Sequence, residues 1–125
     1  PSLLQLANVQ HLATDVIGEL TDDTPAVALA ASLHPTAAVC GTPTERAAKV
    51  IAELEGMNRG RYAGPVGWID ASGDGELGIA LRTGQISGNE IRLFAGCGIV
   101  AGSNPEKELE ESAAKMIPMK SALQL

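Results

Sequence analysis

The sequence predicts an α+β fold in which antiparallel strand pairs are flanked by helices. Three observations carry this. Most strand-like segments follow one another through short turns, two helical segments stand together near the start, and a charge-ordered helix closes the chain. A parallel doubly wound sheet would instead alternate strand and helix throughout.

Leu6 to Leu20 mixes apolar and polar residues around Val9, Thr14 and Ile17, the pattern of one long strand or a strand pair. Thr24-Pro25 before Ala26 to Leu33 offers a cap residue, a proline at the first helical position and strong helix formers. A short helix is expected there, closed by His34-Pro35, with an apolar loop from Thr36 to Gly41. Thr42-Pro43-Thr44-Glu45 has the form of a capping box, whose hydroxyl and carboxylate satisfy free backbone donors at a helix start. That helix should run from Pro43 to about Glu55, with Ala47, Val50, Ile51 and Leu54 on one face.

Beyond it, Pro65 to Ile69 is rich in β-formers and predicts a strand. Asp70 to Gly75 is a turn, Glu76 to Ile86 a second strand, Ser87-Gly88-Asn89 another turn, and Ile91 to Ala95 a further strand. The segment from Asp70 resembles the opening of a calcium loop, but the twelfth position, which needs a bidentate Glu, is Leu81. A solvated hairpin turn is the better reading. Ser103 or Asn104 should cap the last helix, with Pro105 in its first turn, acids early and Lys115 and Lys120 late, an order that suits the helix dipole.

The 125 residues fit one domain, and 45% apolar with 19% charged residues is an ordinary globular mixture. One Trp, one Tyr and one Phe mean that any core is built from aliphatic side chains. A net charge of −6 gives no basic field to attract nucleic acid or acidic lipid, and no apolar run approaches the ~20 residues of a membrane span. No basic region precedes an apolar stretch at the N-terminus, so a cytosolic protein is expected. Cys40 and Cys97 stand far apart, without partners at metal-ligand spacing, and are expected to be reduced thiols.

Four features bear on chemistry. Gly96-Cys97-Gly98-Ile99-Val100-Ala101-Gly102 is glycine-rich between strand and helix, but its spacing is not that of a dinucleotide fingerprint. It leaves either a tight strand exit or a stretch of backbone amides open to an anion. Glu108, Glu111 and Lys115 share a helix face, which suits either a divalent ion with an anionic ligand or an ordinary solvated ion pair. Arg82, at the end of the apolar run Leu77 to Leu81, must face solvent or find a carboxylate. His11 is either a structural histidine or a donor to an anion.

Taken in order, His11-Leu12-Ala13-Thr14, Leu33-His34-Pro35-Thr36-Ala37-Ala38-Val39-Cys40-Gly41-Thr42-Pro43, Tyr62-Ala63-Gly64-Pro65-Val66-Gly67-Trp68, Ala80-Leu81-Arg82, Phe94 to Val100 and Glu108-Leu109-Glu110-Glu111-Ser112 resemble the motifs of chorismate-utilising enzymes. Ala38, where ammonia-adding and salicylate-forming relatives typically have Thr, is similar to the isochorismate synthase branch. Cys97 and Ser112 depart from the usual Ala and Thr. The resemblance covers nearly the whole chain and implies the C-terminal portion of a chorismate-binding domain, whose complete fold has two packed sheets flanked by helices.

Further implications follow from the resemblance alone. The intact protein would convert chorismate to isochorismate with Mg2+, in the service of menaquinone or siderophore synthesis. Glu111 would bind the magnesium and Glu108 lie near it, while Arg82, Gly96 and Gly98 would grip the pyruvyl carboxylate. His11, Ala38, Tyr62, Phe94 and Lys115 would line the ligand site. The lysine base, the glutamate acid and a further magnesium-binding glutamate of the family lie in motifs upstream of His11 and have no counterpart in these residues. A fragment, or a chain completed by another polypeptide, is therefore expected, and alone it should be inactive. The alternatives are a salicylate or anthranilate-type synthase, or a non-catalytic anion-binding domain.

Overall fold

The computed structural model describes residues 1–5 and 10–124 and, of His11, the backbone. β1 (Ser2–Gln5) and β2 (Gln10–Ala13) form an antiparallel pair with Leu3 opposite Leu12. Of the long strand or strand pair expected over residues 6–20, only Gln10–Ala13 is a described strand, and its partner lies before that span. Leu6 to Val9 lie outside the described residues, and Thr14 to Leu20 has no regular structure. Alternation alone does not make a strand, which needs a ladder partner for its backbone groups. Val16 and Ile17 are 89% and 94% exposed.

α1 (Ala26–Leu33) follows, with Pro25 at the cap rather than in the first turn. Thr24 does not cap it, because its amide and hydroxyl both donate to the Asp22 carboxylate. These two bonds hold the Asp22 carboxyl below its ordinary value, the hydroxyl contributing more than the amide. α2 (Thr44–Glu55) occupies the expected span, but the capping box is not made. Pro43 takes the cap position and has no side-chain acceptor, so Thr42 falls outside the helix and Glu45 comes one place too early for the reciprocal bond. Glu45 still faces the positive end of the helix dipole. Gly56 ends the helix at φ +60°, in the left-handed conformation that glycine adopts most readily.

β3 (Pro65–Ile69) and β4 (Gly75–Ile79) form a hairpin with Gly67 opposite Leu77. The backbones approach so closely there that a Cβ on Gly67 would fall 1.8 Å from the Glu76 carbonyl oxygen. At the turn the Asp70 carboxylate accepts from the Ser72 and Asp74 amides at 2.8 and 3.1 Å, as a solvated hairpin turn requires. The Ala26 amide donates to the Gly73 carbonyl at 2.9 Å, and α1 packs on this hairpin.

The single strand expected from Glu76 to Ile86 is broken. β4 stops at Ile79, and β5 (Thr83–Ser87) pairs in a different sheet with β6 (Glu90–Phe94). The Ala63 amide donates to the Ala80 carbonyl at 2.9 Å and the Ala80 amide to the Gly64 carbonyl at 2.8 Å. Arg82, at φ +51°, turns the chain out of the β4 line. α3 (Pro105–Ala122) matches its expectation: the Asn104 side chain accepts from the Lys107 amide at 3.0 Å, Pro105 opens the helix and Lys120 lies in its last turn. It packs against β6.

The described structure is thus α+β, with three helices and three antiparallel pairs. Its surface is not that of a closed domain. The accessible area is 10,087 Å², whereas a folded monomer of this mass exposes about 6,300 Å². Among the described residues the buried apolar side chains are Ala63 and Phe94. Leu12, Leu109 and Ile117 are 80%, 70% and 61% exposed, so each layer presents apolar side chains with nothing packed over them.

Candidate functional site

The backbone bridge between Ala63 and Ala80 determines where the site forms. It places Tyr62 beside the β4–β5 junction and therefore near Arg82, although the two are separated in sequence by a whole hairpin. Ala63 itself is buried at φ +66°, a conformation that costs a non-glycine residue roughly 1–2 kcal/mol and is held by these bonds. The Tyr62 ring stacks on buried Phe94, with centroids 5.2 Å apart and planes 16° from parallel.

A cavity of about 210 Å³ opens in front of this stack. Ala38, Tyr62, Arg82, Gly96, Gly98 and Lys115 all line it. Six of the eight residues expected to bind substrate are brought together by elements remote in sequence. Phe94, expected to line the site, is instead buried against the Tyr62 ring and is not part of the cavity lining. The His11 side chain lies outside the described residues. A larger open concavity of about 570 Å³ covers β5–β6, with Gln85, Glu90 and Arg92 in its lining, and gathers none of the six.

The wall chemistry is cationic and small. The two ion pairs among the described residues are Glu55–Arg59 and Glu111–Lys115, so the Arg82 guanidinium is in neither. The alternative that Arg82 is held by a carboxylate is not realised among them. Lys115 Nζ donates to the Gly96 carbonyl at 3.2 Å and to Glu111 Oε1 at 2.5 Å. A Cβ on Gly96 would meet the Tyr62 hydroxyl at 3.0 Å, so a larger residue there would fit only if the phenol shifted by a few tenths of an ångström. Gly98 faces open space and has no such restriction.

Glu108 and Glu111 follow on α3, beyond the cavity lining. The Ser103 hydroxyl, and after it the Cys97 thiol, hold the Glu108 carboxyl below its usual value. Cys97 Sγ donates to the Glu108 backbone carbonyl at 3.4 Å. Its own thiol is pushed up, first by burial and then by Glu108, which leaves it a poor nucleophile at neutral pH. Both cysteines are free, as expected. No group of three or more His, Cys, Asp or Glu side chains that could hold a metal occurs among the described residues. Two neighbouring carboxylates nevertheless suit magnesium, which typically takes one or two of them and keeps several waters.

Arg59, which also lines the cavity, belongs to none of the features the sequence marked. Its Nε and Nη2 donate to Glu55 at 2.7 and 2.5 Å, its Nη1 donates to the Val39 carbonyl at 2.8 Å, and its guanidinium lies 5.5 Å from the Tyr62 ring centroid. Glu55 and Arg59 are four residues apart, but Gly56 has already ended the helix, so the usual helical-pair signal does not apply.

Comparison with known proteins identifies the family. The profile of the chorismate binding enzyme family matches residues 1–124, and the chain belongs to that family. It is 49% identical over 123 residues to the isochorismate synthase MenF of Bacillus subtilis, covering 98% of this chain and 26% of that protein. It is 46% identical to the isochorismate synthase DhbC of the same organism, covering 98% of this chain and 31% of that one. A Bacillus anthracis crystal structure, described as a 2,3-dihydroxybenzoate-specific isochorismate synthase, DhbC, superposes with a TM-score of 0.95 at 44% identity. That match covers all of this chain and 34% of the other. The chain thus spans about a quarter to a third of the proteins it matches.

Proposed function

We propose that this chain is the C-terminal portion of a magnesium-dependent isochorismate synthase and supplies the substrate-binding wall of its active site. The observation that carries the reading is the single cavity that gathers Ala38, Tyr62, Arg82, Gly96, Gly98 and Lys115 from five separate segments. Identity of 41–49% to isochorismate synthases such as MenF, DhbC and EntC supports the branch.

In this reading chorismate lies against the Tyr62–Phe94 stack with its pyruvyl carboxylate toward Arg82. The guanidinium is outside both ion pairs among the described residues and can offer two parallel hydrogen bonds to a carboxylate. The backbone at Gly96 and Gly98 approaches the same group, and His11 and Lys115 complete the wall. Ala38 leaves room for a water on the face of the ring that is attacked. Water adds to the ring as the ring hydroxyl leaves, so the reaction is a net isomerisation. The proton transfers belong to a lysine base and a glutamate acid contributed from upstream sequence. Glu111, with Glu108 nearby, would hold the magnesium, whose chemistry when bound is to neutralise the ring carboxylate.

The upstream portion would also cover the exposed apolar faces, so it is the first partner assigned to this chain. No described helix is long and apolar enough to cross a membrane, and two free thiols suit the cytosol assigned here. A salicylate or amine-forming activity is the second reading, and Ala38 weighs against it. The test is incubation of purified full-length protein with chorismate and magnesium, followed by chromatography. Isochorismate as the product supports the assignment. Salicylate, an aminated product or no turnover overturns it.

A further inference from the structure

We propose that Arg59 is a positioning residue that locks two parts of the cavity wall, the Ala38–Val39 loop and the Tyr62 ring, into one geometry. The inference rests on the reading that this cavity is the chorismate site, and it assigns to Arg59, itself a lining residue, a role through the two wall elements it holds.

Glu55 is the last residue of α2, where a carboxylate meets the negative end of the helix dipole. The forked pair with Arg59 neutralises it and fixes the plane of the guanidinium. The remaining Nη1 then points at the Val39 carbonyl, 20 residues away, in a part-buried bond of 2.8 Å. That carbonyl belongs to a short turn in which the Val39 and Cys40 amides donate to the Thr36 carbonyl at 3.1 and 3.0 Å. Ala38 sits in this turn, so the bond sets how far its methyl reaches into the cavity. The cationic plane is also 5.5 Å from the Tyr62 ring centroid, on a ring whose hydroxyl lies against Gly96. One side chain therefore joins the helix end, the loop beside the water path and the aromatic wall. Lysine cannot replace it, because a single ammonium cannot engage Glu55 with two parallel bonds and also reach Val39.

The experiment uses the full-length protein and the variants Arg59→Lys, Glu55→Gln and the double variant. In Arg59→Lys, kcat should fall at least about tenfold while KM stays within about threefold, since a small misplacement of positioned groups acts on the reacting geometry. Hydrogen exchange without substrate should show the Val39 and Cys40 amides exchanging roughly tenfold faster, with α3 amides unchanged. Glu55→Gln should produce a smaller loss in the same direction, and the double variant should be no worse than Arg59→Lys alone, because both changes cut one linkage. Wild-type kcat in Arg59→Lys, unchanged exchange at residues 39–40, additive losses, or a kcat that merely tracks the folded fraction in thermal denaturation would each overturn the proposal. If the wild-type protein makes no isochorismate, the reading of the cavity fails, and the exchange comparison alone decides whether Arg59 tethers the loop.

Discussion

Lys115 Nζ donates to the Gly96 carbonyl at 3.2 Å and so ties the middle of α3 to the exit of β6. Because Lys115 keeps this bond when its second partner is removed, Glu111→Gln should change stability little. An exposed helix pair contributes only ~0.3–0.5 kcal/mol, and Glu111 is 53% exposed. Magnesium-dependent activity of the full-length protein should nevertheless be lost. Thermal denaturation and a magnesium titration of activity check the two halves. Normal activity at ordinary magnesium would return Glu111 to a solvated ion pair.

Arg82 combines a backbone at φ +51° with a guanidinium that is in neither ion pair among the described residues. Arg82→Lys should raise the KM for chorismate by about tenfold or more, because a charged bidentate contact is worth roughly 1.5–3 kcal/mol. Arg82→Gly should lose binding at least as severely. Its stability should stay within about 1 kcal/mol of wild type, since relief at φ +51° offsets the greater freedom of glycine in the unfolded chain. Equilibrium unfolding and steady-state kinetics separate the effects. An unchanged KM in Arg82→Lys would remove the guanidinium from the carboxylate site.

Ala38 lines the cavity beside Val39. Replacing it by Thr adds a methyl and a hydroxyl where water is proposed to pass, and the hydroxyl can hold an amine. In the full-length protein Ala38→Thr should lose isochorismate formation and, with ammonium present, gain some aminated product. One small pocket change discriminates by ~1–3 kcal/mol, so the shift should be incomplete. Product analysis by mass spectrometry, with and without ammonium, tests this. Wild-type product at the wild-type rate would take Ala38 out of the water path.

The surplus of exposed surface makes a physical prediction for the 125-residue chain by itself. With apolar side chains uncovered and, among the described residues, three separate strand pairs presenting open edges, it should self-associate and bind hydrophobic dyes. It should not turn over chorismate. Sedimentation velocity, dye fluorescence and chromatography of the reaction are the measurements. A monomer that leaves the dye dark, or any isochorismate, would contradict this.

Local chemistry determined much of the fold from the sequence alone. The apolar spacing of Ala47, Val50, Ile51 and Leu54 indicates α2, Asp70 to Gly75 indicates the β3–β4 turn, and Asn104-Pro105 indicates the start of α3. Each signal is satisfied by groups a few residues apart. The motifs likewise named six of the residues that line the cavity. Other features were decided only by tertiary structure, because their causes are distant in sequence. Bonds from Ala63 and Gly64 hold Ala80 where β4 ends, and Arg82 turns the chain away, so an apolar run that alternates like one strand becomes two. Arg59 owes its place to Val39 and Tyr62, beyond a glycine that ends the helix its spacing to Glu55 would have suggested. Burial was least legible of all: periodicity marks which side chains are apolar, but a side chain is buried only when another surface meets it. Among the described apolar residues that condition is met at Ala63 and Phe94, beneath the Tyr62 wall.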